Sequence, residues 1–423
     1  MTQLPFSYPA IDGERLLADL HTLRGFGAAG CGVVRPSLSP EDIASRHWLR
    51  QRMADAGLDA TLDGVGNVIG RSPQPGPALL LGSHTDTQPL GGWLDGVYGV
   101  IAALEVARTL RHDPVLGAIA LDVASFIDEE GTHYSFLGSL SASGQLDQPT
   151  LDAARCRDGT SLPERLHAAG LDGRIAPLDL RRYAGFIELH IEQGPVLDDG
   201  GKRLGVVSGI VGARNIDIVV SGEANHAGTT PMARRHDAGR ALIALASAIE
   251  DTFSRTAGPE TVWNIGRMSF QPGAAAIVPE RAELRLQFRD LDSRRLDRLE
   301  AALQPLAADI RTRWQVGVDI ARAGQPTLPA HLSPVLQAHL VRATERRASG
   351  AWITLPSGAM HDAGIFAQVM PAAMLFVPSL GGRSHCPEED TRPDDLVLGA
   401  QALADAVVDW ARFTLPARLP ARK

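Results

Sequence analysis

The length, composition and charge of the chain exclude several classes of protein. It has 423 residues, of which 44% are hydrophobic and 21% charged, as is ordinary for a globular protein of two or three domains. The net charge of −8 argues against non-specific nucleic-acid binding, which needs a basic surface. No run approaches the ~20 apolar residues of a membrane span. Three widely spaced cysteines are not a disulfide framework, so we expect a cytoplasmic protein.

The N-terminal half alternates between helical and strand patterns. One of these helices has two start signals. Ser39 is a suitable N-cap, and Pro40 stands at the first helical position, where its missing N–H is tolerated. Near-continuous apolar strands joined by helices predict an α/β fold with a mixed, mostly parallel sheet flanked by helices. The predicted helices are residues 11–25, 40–56 and 96–110, and the predicted strands are 78–83, 118–127 and 185–191.

The middle of the chain predicts a second, inserted domain. Residues 282–289 alternate apolar and charged side chains, which is typical of a strand with one solvated face. The order of elements is β-α-β-β-α-β, the ferredoxin-like split motif. Its predicted strands are 214–221, 263–270, 282–289 and 315–321, and its predicted helices are 237–256 and 293–313.

The predicted domain boundaries follow from this order. An α+β domain over residues 210–324 interrupts a discontinuous domain formed by residues 1–209 and 325–423. A strand over 372–378 and a closing helix over 396–413 would complete the discontinuous domain.

Acidic and histidine residues recur just after the predicted strands of the discontinuous domain. In open α/β sheets, ligands bind beyond the carboxyl ends of the strands, so these residues are expected to converge. Nitrogen and oxygen donors in this number suit a two-metal hydrolytic site. A lone strand or loop histidine is more typical of a structural role, and the joint pattern is what favours a metal site. The residues are His84, Asp95, Glu129, Glu130, His190 and His385.

Individual residues of this set allow simpler interpretations. His84 can be a solvated loop histidine beside a capping Asp86, or Asp86 can fix the tautomer of a metal-bound imidazole. Asp95 can cap the following helix or bridge two cations. Two adjacent buried acids are costly unless paired with cations, although a solvated acidic turn is the alternative. We assign Glu130 as a ligand and Glu129 as the general base.

Two residues of the inserted domain are further candidates. His226 follows a strand and can donate to a developing oxyanion, or it can be an ordinary turn histidine. Arg289 lies on the polar face of its strand and can clamp a substrate carboxylate through two hydrogen bonds, although exposed strand arginines are usually only solvated.

The order of motifs resembles a known family. From about residue 10 to residue 415, the chain is similar to hydantoinase/carbamoylase-type amidases, a branch of the aminoacylase- and carboxypeptidase-like dinuclear metallohydrolases. This branch includes N-carbamoyl-L-amino-acid hydrolases, β-ureidopropionases and allantoate amidohydrolases. The motifs that carry the resemblance are GSHTDT, GGWLDGVYGV, DEEGTHY, ELHIEQGPVL, ANHAGTTPM, LPSGAMHDA and GGRSHCPEE.

The resemblance implies roles for the candidate residues. It implies two divalent ions (Zn, Mn, Co or Ni) held by His84, Asp95, Glu130, His190 and His385, with Asp95 bridging and Glu129 as base. It implies a homodimer formed through the inserted domain, which would also act as a lid, with His226 reaching the partner's active site. By the same analogy, the peptide bond between Asp95 and Gly96 is expected to be cis. The implied substrate contacts are Gln193, Arg214, Arg289 and Gly358, with Arg289 binding a carboxylate.

Two positions depart from the family pattern. Relatives usually carry an asparagine where this chain has Ala276, and a glycine where it has Met360. The expected activity is hydrolysis of a linear amide or ureido C–N bond in a small carboxylate-bearing substrate, most simply an N-carbamoyl-L-amino acid. The alternatives are an allantoate amidohydrolase, an N-acyl-amino-acid amidase or peptidase with an altered pocket, and a binding protein without turnover.

Overall fold

The chain forms two compact units. The structure, a computed structural model, describes residues 8–156 and 158–414. The outer unit comprises Met1–Ser208 and His331–Lys423, and the inserted unit comprises Gly209–Ala330. The inserted unit therefore extends to Ala330, where the sequence predicted an end at residue 324.

Seventeen strands are present in the described part of the chain. They are β1 Ala28–Ala29, β2 Gly32–Val33, β3 Asp59–Leu62, β4 Val68–Arg71, β5 Ala78–His84, β6 Leu121–Phe126, β7 Tyr183–Ile191, β8 Leu204–Ile210, β9 Gly212–Ser221, β10 Asn225–His226, β11 Val262–Gln271, β12 Ile277–Val278, β13 Arg281–Asp290, β14 Gly317–Arg322, β15 Ala330–His331, β16 Trp352–Ser357 and β17 Ala372–Val377.

Twelve α-helices accompany these strands within the described residues. They are α1 Gly13–Gly25, α2 Pro40–Asp55, α3 Val97–Arg111, α4 Leu137–Ala142, α5 Gln148–Ala153, α6 Leu162–Ala168, α7 Val196–Asp199, α8 Ala238–Thr256, α9 Ser293–Trp314, α10 Pro334–Ala348, α11 Asp362–Phe366 and α12 Pro393–Thr414. None of them has the length and apolar character needed to cross a membrane.

The outer unit is built on one nine-stranded mixed sheet. Its order is β15-β8-β17-β7-β5-β6-β4-β3, and β16 pairs with β8. The four central strands, β17, β7, β5 and β6, run parallel to one another. Strand β8 pairs antiparallel with β17, β4 with β6, and β3 with β4. Every residue of β5, β6 and β17 is buried, as expected for strands covered on both faces. The predicted mixed, mostly parallel sheet is confirmed at its centre.

The inserted unit is a four-stranded antiparallel sheet with two helices. Its order is β11-β13-β9-β14, and the chain order is β9-α8-β11-β13-α9-β14. The apolar side chains of β13 pack with α8 and α9 in one core, while Arg285, Gln287 and Arg289 lie on the opposite face. The predicted β-α-β-β-α-β order and the polar face of residues 282–289 are confirmed.

Several short elements of the outer unit were not predicted. Strands β3, β4 and β16 span only four to six residues, too few for their alternation to be distinguished from that of a loop. Helices α4 to α6 cover a second, smaller core that includes Leu137, Leu151 and Leu166. Helix α10 does carry a signal, because Ser333 caps it and Pro334 opens it, the same pattern as in α2.

Candidate active site

The predicted metal ligands converge at the carboxyl ends of the four parallel strands. His84 ends β5, His190 lies near the end of β7, Glu130 follows β6, and His385 follows β17. Since these strands are neighbours and parallel, their carboxyl ends share one edge of the sheet. The fifth predicted ligand, Asp95, precedes α3.

Asp95 lies between two groups of donors. Its Oδ1 is 3.1 Å from His190 Nε2 and 3.6 Å from His84 Nε2. Its Oδ2 is 3.1 Å from His385 Nε2, which in turn lies 3.7 Å from Glu130 Oε2. Within each group of three, the donor atoms lie within 4.8 Å of one another. Each oxygen of one carboxylate thus faces its own group, an arrangement that suits a bridging ligand.

Gly96 explains why the Asp95 side chain is available. The residue at the cap position of α3 is Gly96, and no side chain caps this helix, so Asp95 is not its N-cap. Gly96 has φ +66°, and an added Cβ would lie 2.4 Å from the His84 ring. Among the described residues, cis peptide bonds occur only before Pro77 and Pro272, so the cis bond expected at Asp95–Gly96 is absent. The glycine's positive φ makes this turn instead.

Main-chain carbonyls orient two of the imidazoles. His84 Nδ1 lies 3.1 Å from the carbonyl oxygen of Asp86, and His190 Nδ1 lies 2.8 Å from that of Ile191. If each Nδ1 donates its proton there, a neutral ring keeps a lone pair on Nε2 that can bind a cation beside Asp95. The expectation that the Asp86 carboxylate fixes the His84 tautomer needs correction, because that carboxylate is 3.8 Å from Nδ1 and the carbonyl is closer.

The Asp86 carboxylate instead ties together the floor of the site. Its Oδ2 accepts a hydrogen bond from the Glu130 main-chain N–H at 3.3 Å. Its Oδ1 has no hydrogen-bond partner and lies 3.7 Å from the buried Arg46 guanidinium. Burial raises the pKa of Asp86 to about 7, although the charge of His84 opposes this. The Asp86 carboxylate therefore forms its hydrogen bond with the main chain of Glu130, and the Asp86 carbonyl contacts His84.

Glu129 is buried beside the donor groups. Its Oε2 is 3.7 Å from His84 Nε2. Burial raises the pKa of Glu129 well above its usual value; the nearby His84 opposes this, and the carboxyl groups of Asp362 and Glu130 add to it. A carboxyl group with a raised pKa is a suitable proton acceptor near neutral pH.

The donor set fits divalent cations. The site gathers carboxylate oxygens and imidazole nitrogens, donors that suit Zn, Mn, Co or Ni. Gln193 Nε2 donates to Asp95 Oδ2 at 2.9 Å, and Gln193 Oε1 is buried without a hydrogen-bond partner. A buried acceptor without a partner beside the Asp95 carboxylate fits contact with a cation or a substrate group. Gln193, a predicted substrate contact, therefore lies at the site.

Gly358 lies in the loop between β16 and α11. It is exposed, and an added Cβ would meet nothing within 4 Å. The preceding residue, Ser357, ends β16, and its hydroxyl lies 2.8 Å from His361 Nε2. The His361 ring packs 4.6 Å from the ring of His190, centroid to centroid. Gly358 thus lies next to Ser357, which contacts His361, and His361 packs against the predicted ligand His190.

His226 lies in the inserted unit with a defined tautomer. It is exposed, and its Nδ1 accepts from the main-chain N–H groups of Gly228 at 2.9 Å and Thr229 at 3.2 Å. Because Nδ1 is an acceptor, a neutral ring carries its proton on Nε2, which is then a donor. Ala276 lies beside it, since its carbonyl accepts from the N–H of Ala227.

The two predicted arginine contacts lie on opposite faces of the inserted sheet. Arg214 is buried on the helix-covered face, with Nη2 3.2 Å from Asp297 and Nε 3.4 Å from Glu300. Two carboxylates of α9 therefore form ion pairs with Arg214, and these pairs explain why an arginine is buried at this position. Arg289 lies on the open face, where its Nε donates to Gln287 at 3.0 Å. Only Arg289 is on the face that helices leave uncovered.

Several polar residues at the site were not predicted. Gln88 donates to Glu130 Oε2 at 2.6 Å, and the buried Glu188 accepts from Ser83 at 2.6 Å and from the N–H of Ala363 at 2.8 Å. Glu389 accepts hydrogen bonds from the main-chain N–H groups of Leu94 and Asp95. Their sequence signal is weak, because an isolated acid or amide near a motif gives no indication of its partner.

Comparisons with known proteins identify the family. Residues 80–409 match the model of peptidase family M20/M25/M40. The chain is 35% identical to an N-carbamoyl-L-amino acid amidohydrolase of Geobacillus stearothermophilus, over 95% of this chain and 99% of the relative. It is 34% identical to the allantoate amidohydrolase of Escherichia coli K12, over 90% of this chain and 94% of that protein.

A solved structure supports the same assignment. The crystal structure of an amidase of the hydantoinase/carbamoylase family from Burkholderia phymatum is 48% identical, with a TM-score of 0.91, covering 96% of this chain and 99% of that one. These matches span nearly the whole chain, and the donor geometry described above suits the chemistry of such enzymes. The chain belongs to peptidase family M20/M25/M40, within its hydantoinase/carbamoylase-type amidases, and is a metal-dependent amidohydrolase.

Proposed function

We propose that this amidohydrolase cleaves N-carbamoyl-L-amino acids to the amino acid, CO2 and ammonia. The observation that carries the proposal is the position of Asp95, each of whose oxygens faces a separate group of donors beside the buried Glu129. The similarity to a relative named for this reaction supports the choice of substrate class. In this proposal His84, Asp95 and His190 hold one cation, and Asp95, Glu130 and His385 hold the other.

The proton transfers are assigned to Glu129. Two divalent cations, when bound, would polarise the substrate carbonyl and lower the pKa of the attacking water. Glu129 takes the proton of that water and later returns it to the leaving nitrogen, so one carboxyl group serves both transfers. We assign the donor to the developing oxyanion to His226, supported by the tautomer that places a proton on its Nε2.

Recognition of the substrate carboxylate is assigned to Arg289. Its planar guanidinium can form two parallel hydrogen bonds to a carboxylate, and it lies on the open face of its sheet. Gln193 and Gly358 remain proposed contacts of the reacting group. For Arg214, the ion pairs with Asp297 and Glu300 favour a supporting role over direct substrate binding.

The inserted unit is proposed to form a homodimer interface. Strand β11 is an edge strand, and its side chains Val262, Met268 and Phe270 are 56%, 38% and 38% exposed. Natural proteins usually protect such edges with charges or a covering element, and an exposed apolar edge marks a surface for association. A second copy of the chain fits best, because pairing two identical edges would extend the sheet symmetrically. We keep the cytoplasm as the proposed location.

The substrate proposal is tested by ammonia release from a panel. Enzyme stripped of metal and reloaded with Mn or Zn is offered N-carbamoyl-L-amino acids, allantoate and N-acetyl amino acids. We expect ammonia from the N-carbamoyl compounds and none from the metal-free protein. Silence on every ureido compound, together with amine release from the N-acetyl compounds, would replace the proposal with an acyl-amino-acid amidase. Ammonia from allantoate alone would instead favour the allantoate reaction.

Ala276 offers a sharper version of the same test. It replaces the family's asparagine beside His226, and it is exposed. If the pocket still serves ureido substrates, Ala276→Asn should raise kcat/KM for N-carbamoyl compounds, whereas the neighbouring Ala275→Asn should not. An improvement on N-acetyl substrates alone would contradict the ureido assignment.

A further inference from the structure

Glu389 joins two loops that carry proposed metal ligands. Its Oε1 accepts hydrogen bonds from the main-chain N–H groups of Leu94 and Asp95, both at 3.0 Å. Its Oε2 accepts from the hydroxyl of Ser384 at 2.7 Å. The residue is 1% exposed. One buried carboxylate therefore holds the backbone of the Asp95 loop with one oxygen and the residue before His385 with the other.

The surrounding chain is shaped to admit this carboxylate. An added Cβ on Gly92 would lie 2.0 Å from Glu389 Oε1, so only glycine at this position leaves room for it. The Glu389 N–H donates to the carbonyl of Cys386 at 3.1 Å, which closes the turn after His385. The position of Glu389 is thus fixed from both sides.

Both loops need such support. Asp95 must present its two oxygens to two donor groups at once, and small displacements of a site of this kind have large effects. The His385 side chain is half exposed and its backbone has φ +56°, so burial alone does not fix its imidazole. A rigid link between the loops would set the distance between Asp95 Oδ2 and His385 Nε2.

We propose that Glu389 is a positioning residue that couples Asp95 to the His385 loop, so that both cation positions are set together. This inference rests on the proposed metal-binding roles of Asp95 and His385. Glu389 itself acts through main-chain N–H groups and Ser384. Partners that orient metal ligands are typically worth 10- to 100-fold in metal affinity.

The test measures cation affinity by titrating the metal-free full-length protein with Zn or Mn against a competing chelator. We expect Glu389→Ala to lower affinity roughly 10- to 100-fold. Glu389→Gln, which keeps an oxygen for the two N–H groups, should restore most of it. The matched control is Glu105→Ala, since Glu105 is equally buried and also accepts a main-chain N–H, from Asp12 at 2.9 Å. The control should lose stability but retain cation affinity.

Ser384→Ala tests the link between the two loops separately from the support that Glu389 gives to the Asp95 loop. It remains informative if Glu389→Ala does not fold. It removes the link to the His385 loop while Leu94 and Asp95 keep their acceptor. We expect weaker binding of one cation only, and unchanged affinity in Ser384→Ala would overturn the coupling. Equal losses of cation affinity in Glu389→Ala and Glu105→Ala would overturn the positioning role of Glu389. If the unmodified protein binds no cation, the proposed function fails instead.

Discussion

Gly96 shows how a single residue makes the site possible. The turn before α3 needs a positive φ, and the His84 ring occupies the space where any side chain would begin. Both requirements are met by glycine alone. The consequence is that Asp95 leaves the helix cap and points at three histidines. Burial would raise the pKa of Asp95, but its contacts with those histidines outweigh burial and hold the pKa well below its usual value.

Gly96→Ala should therefore destabilise the protein more than the backbone strain of a positive φ alone would. Gly30 is the matched control, because it has φ +62° but an added Cβ would meet nothing within 4 Å. We expect Gly30→Ala to lower the free energy of unfolding by about 1–2 kcal/mol. Gly96→Ala should cost more and should also lower cation affinity, as measured by denaturation and by chelator competition. Equal effects of the two variants would show that the His84 contact does not matter.

The residue scale also shows what sequence can reveal about this site. His84, Glu130 and His190 were identifiable because each follows or ends an apolar strand, and parallel strands share an edge. Glu389 was not, because its partners Leu94 and Asp95 are remote in sequence and only the fold brings them together. The carbonyl of Asp86 that orients His84 was missed for another reason: it is only two residues away, but the sequence does not show whether the carbonyl or the carboxylate of Asp86 faces the ring.

At the scale of elements, length and burial decided which predictions succeeded. Strands β5, β6, β7 and β17 are long apolar runs and were predicted to within a few residues. Helices α8 and α9 have strong apolar faces and were found as well. In the β3–β4 hairpin each strand has only four residues, and β3 is partly exposed throughout, so the pattern is weak. Prediction therefore recovered the elements that bear the site, and missed those at the edge.

Helices α10 and α12 are linked by a buried carboxylate. Asp409 accepts hydrogen bonds from Arg342 and from the Tyr8 hydroxyl, and its side chain is 4% exposed. Burial alone would raise the pKa of Asp409, but these hydrogen bonds outweigh it and hold the pKa below its usual value. A lowered folded-state pKa adds stability above the unfolded-state pKa, and this stability is lost as the pH falls through the folded-state value.

Asp409→Asn should therefore destabilise the protein in a pH-dependent way. We expect a loss of about 2 kcal/mol in the free energy of unfolding at pH 7, shrinking as the pH falls below about 4. Urea denaturation at both pH values measures it. Asp55→Asn, at a carboxylate whose side chain is 50% exposed, should change little at either pH. A deficit that stays constant with pH would contradict the charge-based account.

At the scale of the whole molecule, the chain order of elements carried most of the information. The split β-α-β-β-α-β pattern identified an insertion, and the insertion revealed that residues far apart in sequence form one outer unit. The end of the insertion differs by six residues between the sequence prediction and the compact unit, because the segment after β14 contains only the two-residue strand β15 to mark the return. Short extended segments of this kind leave little periodicity to detect.

The proposed dimer belongs to this scale. Met268→Glu places a charge on the exposed edge strand β11 and should shift the protein from dimer to monomer at micromolar concentration, measured by sedimentation velocity. Val335→Glu is the control, since Val335 is 67% exposed on α10 of the outer unit. It should remain dimeric. A monomeric unmodified protein, or a dimer that survives Met268→Glu, would count against an interface at β11.

The central claim is that Glu129 moves the proton in an amidohydrolase whose cations are held by its neighbours. The most direct measurement compares ammonia release from an N-carbamoyl-L-amino acid by the unmodified enzyme and by Glu129→Gln at equal, measured metal content. We expect the variant to keep its metal and to lose roughly 10²- to 10⁴-fold in kcat. A variant that keeps its metal and turns over at nearly the unmodified rate would contradict the account.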